Sequence, residues 1–186
     1  MLKSYNRQNL ITCLESVGTP NNLIQSVLDL LDGTDFYEAP ASTKYHGSEP
    51  GGLFDHSLSV AQLLISWTNK GLITWKNSWS PAIVGLLHDF TKADKYLRMI
   101  EEDGIVTAFH YDYNPNVFGY GGHGSDSLIK VLQKVPLSEE ESLCIRYHMG
   151  AYEKEDWDGF DKAIRKYSTV LWTHHADMVA SKVLGV

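Results

Sequence analysis

Cysteine is scarce in this chain, long apolar runs are missing and positive charge is in deficit, and each shortage excludes something. The two cysteines among 186 residues, Cys13 and Cys144, do not form a C-x-x-C pair and lie in helix-like apolar patterns, so they are expected to be buried thiols rather than a disulfide framework. No stretch approaches the roughly 20 uninterrupted apolar residues of a membrane span. The opening "MLKSYNRQNL" has no long apolar run after its basic residue, so a cytoplasmic chain without a membrane partner is the expectation. Sixteen Lys and Arg against 23 Asp and Glu leave a formal net charge of -7, which disfavours tight binding of long nucleic acid by this chain alone. A local basic or metal-lined pocket for one small anion stays compatible with that charge.

What remains is an ordinary globular composition, 43% hydrophobic and 21% charged, of a length suited to one domain over 1–186. Helical spacing dominates. "RQNLITCLESV" presents one apolar face before Gly18, and "NNLIQSVLDLLDG" follows with Asn21 or Asn22 as its cap and Gly33 as its stop, so that 1–33 reads as N-terminal helices. Residues 34–51 form a long polar loop with two prolines, and the pattern resumes from Gly52 to about Lys70. Pro81 opens a helix through "AIVGLLHDF" that is apolar on nearly every side and therefore central. "ADKYLRMIEEDG" reads as an exposed helix closed by Gly104, and the aromatic, alternating "IVTAFHYDYNPN" leaves room for a short β-hairpin near 104–114. Ser125 and Asp126 are candidate caps for the helix "SLIKVLQKV". Ser138 with three glutamates reads as a solvated helix start, and Phe160 to about Leu184 as one last helical run.

Histidine is unusually frequent, with eight residues. His56, the pair His88 and Asp89, His123, His148 and Asp177 each interrupt or border an apolar segment. A single buried histidine is explained by a bond to a carbonyl. Six ionisable groups converging on one core would be costly unpaired, whereas divalent cations turn the same convergence into binding energy. Four imidazoles and two carboxylates suit iron, manganese, zinc, cobalt or nickel better than calcium. Adjacent His88 and Asp89 diverge by about 100° on an ideal helix. From a helix end they can still address one cavity, with Asp89 offering one oxygen to each of two metals.

The series H, HD, H, H and a late D, in the contexts "GGLFDHSL", "LLHDFTK", "GHGSDS", "YHMG" and "HHADMVAS", resembles the HD superfamily of metal-dependent phosphohydrolases from about Ala39 to Ala180. "APASTKYHGSEPGGLFDHSL" is similar to a segment of small bacterial and phage-borne HD hydrolases and of the HD domain of a bacterial 3'-to-5' exoribonuclease family. The resemblance implies an all-α HD-domain helical bundle with its metal-site core in 34–186. It also implies two divalent ions, iron or manganese foremost and magnesium, zinc, nickel or cobalt as alternatives. His56, His88, Asp89 and Asp177 would share one ion, His123 and His148 would complete the second position, and Asp89 would bridge. His148 is followed by Met149 where some members have a second histidine, so one ligand is carried over there. Lys92 matches the lysine of the extended HD-x-x-K pattern.

Cations roughly 3.5 to 4 Å apart would hold a shared hydroxide able to attack phosphorus. Lys92 and Lys44 would contact phosphate oxygens, and His46 would bind the phosphate or protonate the leaving oxygen. His174, three residues before Asp177, would orient that aspartate. His110 is read as structural, and the rings of "FHYDYNPNVFGYGG" as packing or a platform for a base. The expected substrate is a nucleotide or short oligonucleotide. An HD-fold di-iron oxygenase and a non-catalytic nucleotide-binding sensor are the alternatives, and oligomeric state is left open.

Overall fold

The computed structural model describes residues 2–43, 47–99, 110–117, 119, 121–150 and 156–186. Eight α-helices among them carry the fold: α1 (Leu2–Ser16), α2 (Asn21–Leu31), α3 (Gly52–Asn69), α4 (Ser80–Leu87), α5 (His123–Leu132), α6 (Glu139–Arg146), α7 (Trp157–Lys166) and α8 (Thr169–Val179). A two-stranded antiparallel sheet, β1 (Tyr96–Met99) with β2 (His110–Tyr113), pairs Tyr96 with Tyr113 and Met99 with His110. None of these helices is long and apolar enough to cross a membrane. The expectation of a largely helical chain with one short antiparallel strand pair holds, but β1 precedes the expected 104–114 and falls in a segment read as helix.

α3 and α4 sit between two apolar clusters. Leu53, Phe54 and Ala61 of α3 with Ile83, Leu86 and Leu87 of α4 face the cluster built on α1, α2, Phe36 and Tyr37. Val60, Leu64 and Val84 face the other, with Trp75, Cys144, Phe160, Val170 and Ala176. Covered on both sides, α4 buries all eight of its residues, which is why its sequence shows no polar face. Burial pushes the Cys13 thiol up to about 11 and the Cys144 thiol up to about 12, so both are inert buried thiols, as expected.

Two glycines set the helix approaches that matter below. A side chain on Gly85 of α4 would meet Ala61 of α3, with Cβ atoms only 2.8 Å apart. One on Gly124 of α5 would lie 2.7 Å from the carbonyl carbon of Arg146 in α6.

Several local expectations are corrected. Neither Asn21 nor Asn22 caps α2; Pro20 holds that position and makes no side-chain cap, its fixed φ being preset for helix entry. Ser125 and Asp126 lie inside the first turn of α5, where Asp126 Oδ1 accepts from Gly121 N at 3.1 Å. The helix expected from Ala93 is replaced by a turn and β1: Ala93 is extended (φ -60°, ψ 136°) and Asp94 left-handed (φ 59°), so no helical bond can start there. Residues 104–109, in the expected hairpin, lie outside the described residues. The run from Phe160 breaks at Tyr167 (φ -138°, ψ 104°), which lets α7 fold back on α8 and bury Phe160 and Ala163.

Of the three glutamates that open α6, only Glu139 is solvated. Glu140 and Glu141 are buried: Glu140 accepts from Thr169 Oγ1 at 2.8 Å and Lys76 N at 3.0 Å, and Glu141 accepts from Ser80 Oγ at 2.8 Å. Ser138 and Glu141 form a reciprocal capping box. Ser138→Ala, which removes its half of the box, should lower unfolding free energy by about 1 kcal/mol in urea titrations.

Candidate metal centre

Each of the six side chains singled out above is presented by a helix end or a helix face. His56 lies one turn into α3, His88 directly follows α4, His123 opens α5, His148 follows α6, and Asp177 sits on α8. After His88 the backbone leaves the α-helix, with Asp89 at φ -105°, ψ 19°, followed by a 3-10 turn over Phe90–Lys92. That departure lets neighbours which a helix would splay apart face the same cavity.

The structure brings all six together. His56 Nε2 lies 3.2 Å from both His88 Nε2 and Asp177 Oδ1. Asp89 Oδ2 lies 3.7 Å from the Nε2 atoms of His56 and His88. The other oxygen, Asp89 Oδ1, is 3.5 Å from His148 Nε2 and 4.0 Å from His123 Nδ1. His56, His88 and Asp177 can offer ligand atoms within 4.8 Å of one another, and so can His88, Asp89 and His148.

Hydrogen bonds behind the rings decide which nitrogens face inward. Nδ1 of His56, His88 and His148 lies 3.0, 2.9 and 2.8 Å from the main-chain oxygens of Val186, Gly85 and Ile145. A main-chain oxygen only accepts, so each Nδ1 carries a proton and each Nε2 faces inward, as a lone pair wherever the ring is neutral. Two such lone pairs 3.2 Å apart, on His56 and His88, need a proton or a cation between them. Burial pushes His88 down to about 4, which disfavours a proton on that ring.

The donor set fits a divalent cation of the transition series. Bonds of about 2.1 Å place neighbouring ligand atoms roughly 3.0 Å apart in an octahedron and roughly 3.4 Å apart in a tetrahedron, against 3.2 Å from His56 to His88 and to Asp177 and 3.7 Å from Asp89 to His56 and to His88. At the second position Asp89 Oδ1, His123 Nδ1 and His148 Nε2 are buried without a hydrogen-bond partner. A cation at this position would give all three a partner.

Charge is arranged to keep both carboxylates ionised. Burial raises Asp89, but Lys92, whose Nζ is 2.6 Å from Oδ2, together with His123 and His148 outweighs it and holds the carboxyl well below its usual range. Burial raises Asp177 too, but His56, whose Nε2 is 3.2 Å from Oδ1, together with His88 and His148 outweighs it and holds the carboxyl at about 2. For His148 burial pulls the pKa down, yet Asp89 prevails and raises it.

Other expected residues fall elsewhere. Lys44 and His46 lie outside the described residues, as do Phe109, Phe118 and Tyr120 and the side chain of His110. His174 does not orient Asp177: its Nδ1 donates to the His148 main-chain oxygen at 2.7 Å, so it steadies the segment carrying a different ligand. Lys95 was not singled out in the sequence, yet its Nζ lies 3.4 Å from His123 Nε2. Read as part of an exposed helix, it gave no signal of approaching the centre. No family model, curated protein or solved structure matches this chain.

Proposed function

We propose that this chain is a metal-dependent phosphohydrolase of the HD type, cleaving a phosphoester of a nucleotide or short oligonucleotide. The observation that carries the reading is the division of Asp89, whose two oxygens face two different groups of imidazoles. His56, His88, Asp89 and Asp177 would hold one divalent ion, and Asp89, His123 and His148 a second. Bound there, such ions would supply Lewis acidity toward phosphate oxygens and lower the pKa of water enough to make a nucleophile near neutral pH.

The protein's own groups do the rest. Main-chain oxygens behind His56, His88 and His148 fix ring orientation and tautomer before anything binds, so little reorganisation is left for the reaction. Lys92 neutralises Asp89 in the free protein, and its ammonium would stabilise charge moving onto a phosphoryl group bound beside it. The apolar walls given by α4 and its neighbours keep the local dielectric low and strengthen both contacts.

Manganese added at a hundred times its Kd should raise unfolding free energy by about 2.7 kcal/mol, seen as a higher Tm that a chelator reverses. The manganese-loaded protein, incubated anaerobically with nucleotides, cyclic dinucleotides and short oligonucleotides, should release a phosphate or nucleotide product. Turnover that requires oxygen with an organic substrate would replace this reading with the oxygenase. Nucleotide binding without product across the panel would replace it with the sensor.

A further inference from the structure

Among the described residues one non-glycine has a left-handed backbone, Asp94 at φ 59°. It stands third in a turn closed by Lys95 N donating to Lys92 O at 3.2 Å, with Ala93 at φ -60°, ψ 136°. Those angles belong to a type II turn, whose third position ordinarily takes Gly or Asn. An aspartate there carries a steric penalty that the surroundings must offset.

They do so from two sides. Asp35 N donates to Asp94 Oδ1 at 3.0 Å, and Asp94 N donates to Asp35 Oδ1 at 2.6 Å. Asn114 Nδ2 donates to Asp94 O at 2.9 Å, and Asn114 N to Lys95 O at 2.8 Å. The reversed chain thereby returns Lys95 to the centre, its Nζ 3.4 Å from His123 Nε2, while Lys92 Nζ is 2.6 Å from Asp89 Oδ2. Lys130 joins the same rim from α5, its Nζ 3.4 Å from Thr91 O.

Three ammonium groups therefore gather at one edge of the centre in a chain whose net charge is -7. On the reading above Lys92 would serve the phosphate nearest Asp89. Lys95 stands beyond it, beside His123, and an ammonium is a compact point charge suited to phosphate oxygens. We propose that Lys95, held by the clamped turn, binds a second phosphate of the substrate, so that the centre selects esters bearing two adjacent phosphates over monophosphates. This rests on the phosphohydrolase reading above.

The test uses inorganic pyrophosphate and orthophosphate as probes in calorimetric titrations of manganese-loaded and metal-free protein. Lys95→Met keeps the aliphatic stem; it should weaken pyrophosphate binding about tenfold and orthophosphate binding less than about twofold. Manganese stoichiometry and Tm should not change. Lys95→Arg should keep most of the pyrophosphate affinity, and Lys134→Met, with the same charge change on an exposed residue, should leave both probes unaffected. Equal losses for the two probes, no loss for either, or loss of manganese on replacing Lys95 would overturn the proposal, the last by making Lys95 a support for His123. Failure of the wild-type protein to take up manganese would sink the phosphohydrolase reading instead, while the pyrophosphate comparison on metal-free protein would still decide the role of Lys95.

Discussion

Asp89→Ala is expected to lower phosphoester turnover by roughly a thousandfold and to remove most bound manganese, with the helical circular dichroism preserved. Asp89 sets one oxygen toward each ligand group, at 3.7 Å from His56 and His88 and at 3.5 and 4.0 Å from His148 and His123. Without it the second position keeps only two neutral imidazoles, too little charge to hold a divalent ion against solvent. The first position keeps two imidazoles and Asp177. The fold should survive because Lys92, the partner left unpaired, has a side chain 14% exposed and can turn to water. Asp89→Asn separates charge from shape: it keeps the volume and one carbonyl oxygen, and should retain some metal at the first position while losing turnover. Two full equivalents of manganese on Asp89→Ala, counted by metal analysis after dialysis, would rule out a shared carboxylate.

Gly124→Ala should destabilise the protein by roughly 3 kcal/mol, at the upper end of overpacking costs, although helix propensity alone favours alanine over glycine by roughly 1 kcal/mol. The added methyl would stand 2.7 Å from the carbonyl carbon of Arg146 and 3.1 Å from Ile145 O, and backbone cannot rotate aside as a side chain can. Relief would have to come from α5 moving off α6. That separates His123 at the start of α5 from His148 at the end of α6, so the second metal equivalent should weaken along with stability. Gly33→Ala is the matched control: the nearest atom to its added methyl is 3.9 Å away and its φ is not positive. That change should be neutral or stabilise by a few tenths of a kcal/mol. Urea titrations of the two variants against wild type decide the sign, and a stabilised Gly124→Ala would mean the helices are not in contact there.

The helices were legible wherever one apolar face repeats or where a helix is covered all round, as in α2 and α4. So were the six polar interruptions, because an ionisable residue beside an apolar run stands out in any window. Legibility failed where the deciding partner is remote. Glu140 and Glu141 look solvated in "SEEE", yet Ser80, 61 residues from Glu141, and Thr169, 29 residues from Glu140, give their carboxylates buried partners. Local spacing favours a helix after Ala93, but Asp35, 59 residues from Asp94, locks the turn that prevents it.

By itself, then, the sequence determined the helical character, the burial of Cys13 and Cys144 and the roster of His56, His88, Asp89, His123, His148 and Asp177, since these follow from hydrophobic period and from residue chemistry. Only the tertiary structure decided that His56 and His88 bring their Nε2 atoms within 3.2 Å, that Asp89 divides its oxygens, and that Lys95 reaches His123. Those outcomes depend on contacts such as Gly85 against Ala61 and Gly124 against Arg146, where successive helices come close enough for the side chains they carry to meet.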